Sequence, residues 1–498
     1  MLPTDSGLLA DALTAAGCFT PMPCRGRHSC GKCAVYVGGR LPPPGPDEAA
    51  LLARFPQPGM PGYVRRLACL ARIDGETEVV VSSMGGVAIA PADLPLVTYD
   101  GDEPMSLGCA VDVGTTTVTV LLFRLGSHER LADVSELNHQ AVHGADVITR
   151  IDAASRVGVD ALQRLIVTQV DRMLAEALAR ADAQAGAVTR LTVTGNTTML
   201  HLLTGRPVAS LGVSPFTPDS LLGYETAASD LFPSLTAVRL YLPPAISAFV
   251  GPDIVCGILA TQPGEAGGPE LLVDVGTNGE MALTVGGKRL CCSTAAGPVF
   301  EGANISAGMP ALPGAIDDVW VEAGACQYST IGGRRPRGLC GTGLIGAVDA
   351  LLTLGVVDET GAMDNTPAVI GDGVSVTQAD VRQLQLAKAA VAAGIDALLH
   401  AAGLTPDGVA RVHLAGGFGS YLRVEPAAGI GLIPRVLTAR CQPAGNTALS
   451  GAAMLTTSGA ARAAAERIAR QAEEVQLSTD ACFMARYIER MAFDGDDD

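Results

Sequence analysis

A chain of 498 residues that is 48% hydrophobic and 4% aromatic is long enough for two or more aliphatic cores and too apolar to remain unfolded. With 34 Lys and Arg against 51 Asp and Glu, its net charge is −17 and its pI near 4.8, which disfavours a nucleic-acid partner because phosphate backbones need a positive surface. The opening residues carry no basic leader and place Asp5 and Asp11 inside the apolar stretch, and even the run ISAFVGPDIVCGILA is broken by Pro252 and Asp253, so neither a secretory signal nor a membrane span is expected and the location expected is cytoplasmic.

In that compartment thirteen cysteines point to metal or redox use rather than to a disulfide framework. Residues 6–17 predict a helix, with Leu8, Leu9, Leu13 and Ala16 at helical spacing and a Gly at the end. Cys24, Cys30 and Cys33 follow as C-x₅-C-x₂-C in a loop holding Gly26 and Gly31, and 35 residues separate Cys33 from Cys69. This differs by one residue from the plant-type spacing of a [2Fe–2S] cluster. Zinc is the competing reading, but zinc sites usually pair two knuckles, and Cys69 has no nearby Cys or His to form the second. Arg25, Arg27, Lys32, Arg65 and Arg66 flank these cysteines, either stabilising a reduced cluster and docking an acidic donor, or forming a plain solvated rim. A Pro-rich loop (41–62) and a strand-like segment (73–81) complete a first domain, residues 1–83, and residues 84–106 read as a linker.

Beyond the linker one pattern occurs twice. Residues 109–119 read CAVDVGTTTVT and residues 271–280 read LLVDVGTNGE, each an apolar strand opening into Asp-Val-Gly-Thr. Such a turn suits phosphate: glycine lets the backbone approach an anion, the amides and threonine hydroxyls donate to it, and the aspartate reaches Mg²⁺ directly or through water. Asp112 and Asp274 stand 162 residues apart, about one domain's length, so 107–250 and 251–498 read as two related halves facing each other. A third strand-to-glycine turn, RVHLAGGFG at 411–419, converges on the same cleft.

The candidate nucleotide contacts are therefore Gly114, Thr115 and Thr116, then Gly276, Thr277 and Asn278, and then Gly416, Gly417 and Gly419, with Asp112 and Asp274 as the catalytic carboxylates. Gly341 and Thr342 open a further helix where phosphate or ribose contacts are expected. Asp253 stands at a helix start, where it either caps the helix or takes a catalytic or metal-binding role. An amphipathic helix is expected over 159–184 and another over 379–402, where Lys388 reads as a solvated residue rather than a nucleotide contact. Helices are expected to continue to about residue 491, before an acidic, solvated end.

The three glycine turns resemble the phosphate-1, phosphate-2 and adenosine motifs of the actin, sugar-kinase and Hsp70-type ATPase superfamily. The phrases GADVITRI, TGNTTMLHLL, GPVFEGANISAGM and LCGTGLI, with the C-x₅-C-x₂-C loop, extend the resemblance over essentially the whole chain to the reductive activators of corrinoid proteins. The resemblance implies an α/β protein in which a small β-grasp ferredoxin-like domain precedes a duplicated actin-like (ribonuclease H-like) ATPase fold. It also implies a [2Fe–2S] cluster, ATP and Mg²⁺ as cofactors, and a corrinoid protein of a methyltransferase system as the partner returned from Co(II) to Co(I). An upstream ferredoxin, flavodoxin or reductase would supply the electron, and a homodimer is compatible with it.

Two departures from that pattern stand out. The chain begins almost at the helix before the cysteine loop, without the usual leading hairpin, and the linker leaves no room for the extra small domain some relatives carry. Two other functions keep the cleft. A small-molecule kinase with a fused ferredoxin would need an acceptor pocket and a base that nothing in the sequence singles out. An ATP-driven donor to another low-potential enzyme, such as a radical dehydratase, shares the general motifs but usually holds a [4Fe–4S] cluster between subunits.

Overall fold

The computed structural model describes residues 7–16, 28, 33–39, 41–54, 60, 62–73, 77–80, 94, 97–261 and 267–493. Near its start α1 (Leu9–Ala15) buries Leu9 and Leu13 against a small antiparallel sheet, in which β1 (Ala34–Gly38) is central. After α2 (Pro46–Arg54) come the flanking strands β2 (Val64–Leu67) and β3 (Glu78–Val80). Arg66, expected beside the cysteines as a free cation, is instead buried: its guanidinium donates to both carboxylate oxygens of Glu48 at 2.9 and 2.8 Å and to the carbonyl of Pro42. A desolvated guanidinium with its donors so occupied fastens α2 to β2.

The rest of the chain is a duplication. In the first half, β4 (Leu107–Val113), β5 (Thr117–Arg124) and β6 (Arg130–Leu137) form an antiparallel meander. The helices α3 (Val147–Val157) and α4 (Val159–Arg180) then return the chain to β7 (Val188–Gly195), which lies parallel to β4. After α5 (Thr197–Leu203), β8 (Leu222–Ala227) and β9 (Arg239–Pro244) complete a six-stranded sheet of order β8-β9-β7-β4-β5-β6. The helix expected over 159–184 ends four residues early, at Arg180.

After α6 (Pro252–Thr261) the scheme repeats. The strands β10 (Glu270–Val275), β11 (Gly279–Val285) and β12 (Lys288–Thr294) form a second meander, followed by β13 (Ala315–Glu322), β14 (Ala325–Thr330), α7 (Gly341–Thr353) and the long α8 (Gln378–Ala402). Next β15 (Arg411–Ala415) pairs parallel with β10, and β16 (Cys441–Gly445) with β15. Behind them run α9 (Thr447–Thr457), α10 (Gly459–Gln471), β17 (Ala472–Glu474) and α11 (Ala481–Glu489), giving a sheet of order β16-β15-β10-β11-β12-β17.

The central strands β4 and β10 are apolar on both faces because helices cover both. Each half has its own core, and a third core lies between the sheets, where Leu121, Phe123 and Leu272 meet Ile254 of α6 and Leu449 of α9. The two helices touch backbone to backbone there: a Cβ on Gly451 would be driven into the carbonyl of Cys256.

Two further expectations change. Lys388 is no solvated residue; it is buried in α8, its ammonium donates to the carbonyl of Ala492, and it lies 5.2 Å from the centre of the Phe493 ring. That contact closes the C-terminal segment over α8, which is itself long and apolar enough to cross a membrane but is largely buried in the second core. The stretch read as a linker is tied down at its end: Val97 and Tyr99 pack on the core between the sheets, and Asp100 accepts from Arg190 of β7 at 2.6 Å and from the backbone N–H of Gly459.

Candidate functional site

Equivalent strands β4 and β10 end in the two Asp-Val-Gly-Thr turns, and the packing of the two sheets around α6 and α9 brings those turns face to face. Thr116 Oγ1 lies 2.9 Å from Thr277 Oγ1, although 161 residues separate them. A single carboxylate joins them: Glu301 accepts from Thr116 at 2.7 Å on one oxygen and from Thr277 at 3.0 Å on the other. The glycine turn after β15 closes the third side. Gly416, at φ +88°, sits so close to Asp274 that a Cβ would strike its carboxylate and the carbonyl of Val275. Gly417 has open space beside it, Gly419 packs near Val275, and Phe418 between them stacks on Phe300 at 4.9 Å. Gly341 at the start of α7 presses on Phe300 and Phe418, while the Thr342 hydroxyl lies 3.2 Å from Cys340 Sγ.

The first turn is pinned from several sides. Gly114 O accepts from Asn138 Nδ2 at 2.9 Å, and Thr115 Oγ1 accepts from Asn196 Nδ2 at 3.0 Å. The wholly buried Arg150 donates to the carbonyls of Thr115 and Gly144. Thr115 therefore faces inward and Thr116 faces the cleft. Asn196 also caps α5, accepting from Met199 N, and Asn446 does the same for α9, accepting from Leu449 N. From that cap Asn446 reaches across to donate to Asp112 at 2.9 Å. In the second turn Gly276 N donates to the carbonyl of Asn278 at 2.9 Å.

The carboxylates at the cleft raise one another's proton affinity. Burial lifts Asp112 to about 6, offset by the Asn446 amide, and lifts Asp274 to about 7, with Asp112 adding repulsion. Asp253 is pushed to about 8 by burial and then by Asp112 and Asp274, so its carboxyl shares their field; within its own helix it accepts from Ile254 N at 2.9 Å. Glu280 is held well above its usual value by burial and by the same three aspartates, and its Oε1 is buried without a hydrogen-bond partner. A cluster of carboxyls that cannot all ionise together, with an unpartnered oxygen beneath it, fits a bound cation. Among the described residues no three Asp, Glu, His or Cys side chains are poised around one point for direct ligation. Mg²⁺ keeps several waters and takes one or two carboxylates together with phosphate oxygens, so paired carboxyls such as Asp112 and Asp274 fit it.

The residues that sequence reasoning passed over are Glu280, Glu301, Arg150, Asn196 and Asn446. A signal for the two asparagines was present in the paired Gly-Asn-Thr of TGNTT and GNTAL. Glu301 and Arg150 lie within the phrases GPVFEGANISAGM and GADVITRI, but the partners that give them a place at the cleft, Thr116 and Thr277 for the one and Thr115 for the other, lie far along the chain.

In the N-terminal module, Cys33 and Cys69 are buried with their sulfurs 3.2 Å apart, and the carbonyl of Cys33 accepts from Ala68 N at 2.9 Å. The hydrogen bond to Cys69 draws the Cys33 thiol down to about 7, against its burial, which favours the thiolate that a metal binds. Two sulfurs brought together from separate segments fit one edge of a cluster site; Cys24 and Cys30 lie outside the described residues.

Duplicated sheets, paired phosphate turns and a glycine turn between them define an actin-like ATPase. Residues 107–264 match the family profile described as the RACo middle region, and residues 268–498 match that of the C-terminal domain of RACo, the ASKHA domain. The chain is 31% identical over 422 residues to the corrinoid activation enzyme RamQ of Eubacterium limosum, an alignment covering 78% of this chain and 70% of that protein. It is 28% identical over 359 residues to the Co(II) methylated amine-specific corrinoid protein reductase of Methanosarcina barkeri, covering 66% of each. A solved structure of a reductive activator for corrinoid, iron-sulfur protein matches with a TM-score of 0.72 and 25% identity, over 99% of this chain and 96% of that one. The chain belongs to the family of reductive activators of corrinoid proteins.

Proposed function

We propose that this protein uses Mg-ATP to drive the one-electron reduction of a corrinoid protein from Co(II) to Co(I), restoring it for methyl transfer. The observation that carries the reading is the 2.9 Å meeting of Thr116 and Thr277, since a ligand held by one phosphate turn must be held by the other. Asp112 and Asp274 would hold Mg²⁺ and its waters, in a cleft where Asp253 and Glu280 keep their protons to higher pH. The backbone and hydroxyls of Gly114, Thr116, Gly276, Thr277 and Asn278 would receive the phosphates, and the Gly416–Gly419 turn the adenosine, beside Gly341 and Thr342.

Cys24, Cys30, Cys33 and Cys69 would hold a [2Fe–2S] cluster, which when bound supplies a one-electron carrier. The buried Cys33–Cys69 pair would supply two of its thiolates from positions removed from water. A small low-potential carrier, a ferredoxin, flavodoxin or reductase, is the donor class such a module takes. Every ~59 mV by which a one-electron donor falls short of its acceptor costs a factor of ten. Closure of the two halves on ATP offsets that shortfall if the closed form binds the Co(I) state of the partner more tightly than the Co(II) state. Iron and sulfide analysis with EPR of the reduced protein, together with ATP hydrolysis measured with and without Co(II) corrinoid protein, tests the assignment. Two irons per chain and corrinoid-stimulated hydrolysis are expected; a zinc-only or four-iron protein, or hydrolysis indifferent to corrinoid protein, contradicts it.

A further inference from the structure

We propose that Glu301 is an internal competitor for the terminal phosphate of ATP, holding the two phosphate turns together until the nucleotide takes its hydrogen bonds. The inference rests on the nucleotide reading of the cleft. Thr116 and Thr277 are the two hydroxyls that face each other across it, and each donates to a different oxygen of the Glu301 carboxylate. A carboxylate bridging two hydroxyl donors occupies the role of a phosphate anion, with the same kind of acceptor oxygens and the same sign of charge. Both ends of this bridge belong to different halves, so Glu301 ties the halves as the nucleotide would.

The surroundings suit an exchangeable group. Burial raises the proton affinity of Glu301, while the Thr116 and Thr277 hydroxyls and the charge of Arg150 lower it, so the carboxylate depends on these neighbours for its stability. Glu301 ends a single helical turn, Pro298–Glu301, whose Phe300 stacks on Phe418 of the adenosine turn and whose backbone abuts Gly341 of α7. Gly302, which follows at φ +75°, lies tight against Met309, so the turn has a fixed end and a short free arm. Displacing the Glu301 carboxylate would therefore be felt at the adenosine turn through Phe300. The proposal assigns the space between the two threonines to the third phosphate, which ADP lacks, and so makes this contact a means of telling ATP from ADP.

The test is equilibrium binding by titration calorimetry on the full chain, with Mg-ADP and with a Mg-ATP analogue carrying a β–γ imido bridge. Glu301→Ala removes the competitor, and its affinity for the triphosphate analogue should rise about tenfold, with ADP affinity changed less than about twofold, since a ligand that need not first displace Glu301 from the two hydroxyls binds more tightly. Glu301→Gln keeps the shape and one acceptor but loses the charge; about a threefold gain for the analogue alone is expected, which decides the matter if the alanine variant is unstable. Unchanged or weaker analogue binding in both variants, or equal gains for both nucleotides, overturns the inference while leaving the cleft a nucleotide site. Absence of binding of either nucleotide to the wild-type protein overturns the nucleotide reading as well.

Discussion

The two phosphate turns share a sequence and a place at the ends of equivalent strands, yet they are held in different ways. The turn after β4 is clamped by Asn138, Arg150 and Asn196 of its own half and by Asn446 from the other. The turn after β10 has its own Gly276–Asn278 bond, the glycine backbone of Gly416 pressed against Asp274, and the contact of Thr277 with Glu301 and Thr116. Duplicated motifs thus need not be duplicated parts. The first turn is held by side chains that reach it from several elements, and the second by its own backbone, a glycine neighbour and the Glu301 carboxylate.

The largest effect should be shared by both turns, because the proposed function sets one Mg²⁺ against both aspartates. Asp112→Ala and Asp274→Ala should each lower ATP turnover about 100-fold or more, with the visible absorption of the proposed N-terminal cluster intact. A large loss in one variant alone would break the symmetry of the cation site. Next comes stability, where the halves should part: Arg150→Ala leaves the carbonyls of Thr115 and Gly144 without their buried donor and should cost about 3 kcal/mol in urea unfolding. Smaller again, Gly416→Ala forces a Cβ into Asp274 at a positive φ and should weaken nucleotide binding about tenfold, with little change in the melting of the first half.

pH should act on the same carboxyls. Asp112, Asp274 and Asp253 keep protons up to about 6, 7 and 8 in the fold, whereas unfolded carboxyls release them near 4. The native state therefore binds more protons than the unfolded one between these limits, so the stability of the nucleotide-free protein should fall as pH rises from about 5 to 8. Mg-nucleotide affinity should move the opposite way, rising over the same window, because the cation must displace those protons. Asn446→Ala removes the amide that lowers the Asp112 value and should shift that midpoint upward.

Much of this was legible in the sequence because it is local. An aspartate and a glycine closing an apolar strand declare a turn within ten residues, and two such turns 162 residues apart declare a duplicated scaffold. What stayed hidden depends on distance. Lys388 looks like a surface residue in an alanine-rich helix, and only the return of the chain at Ala492 shows it buried. Arg150 stands in the phrase GADVITRI, yet it spends donors on a turn 35 residues upstream. Arg66 reads as one of the basic residues around the cysteines, and only the packing of α2 on the small sheet pairs it with Glu48.

The central claim is that the cleft and the cysteines form one machine, and cobalt EPR tests it most directly. Reduced wild-type protein, Mg-ATP and a cognate Co(II) corrinoid protein are mixed without oxygen, and the Co(II) signal is followed. The account expects that signal to disappear only with ATP present, to persist with the Asp274→Ala variant although its cluster is still reduced, and to persist with Cys33→Ala although nucleotide still binds. Full loss of the Co(II) signal with Asp274→Ala, or none with the wild-type protein at any ATP concentration, would contradict it.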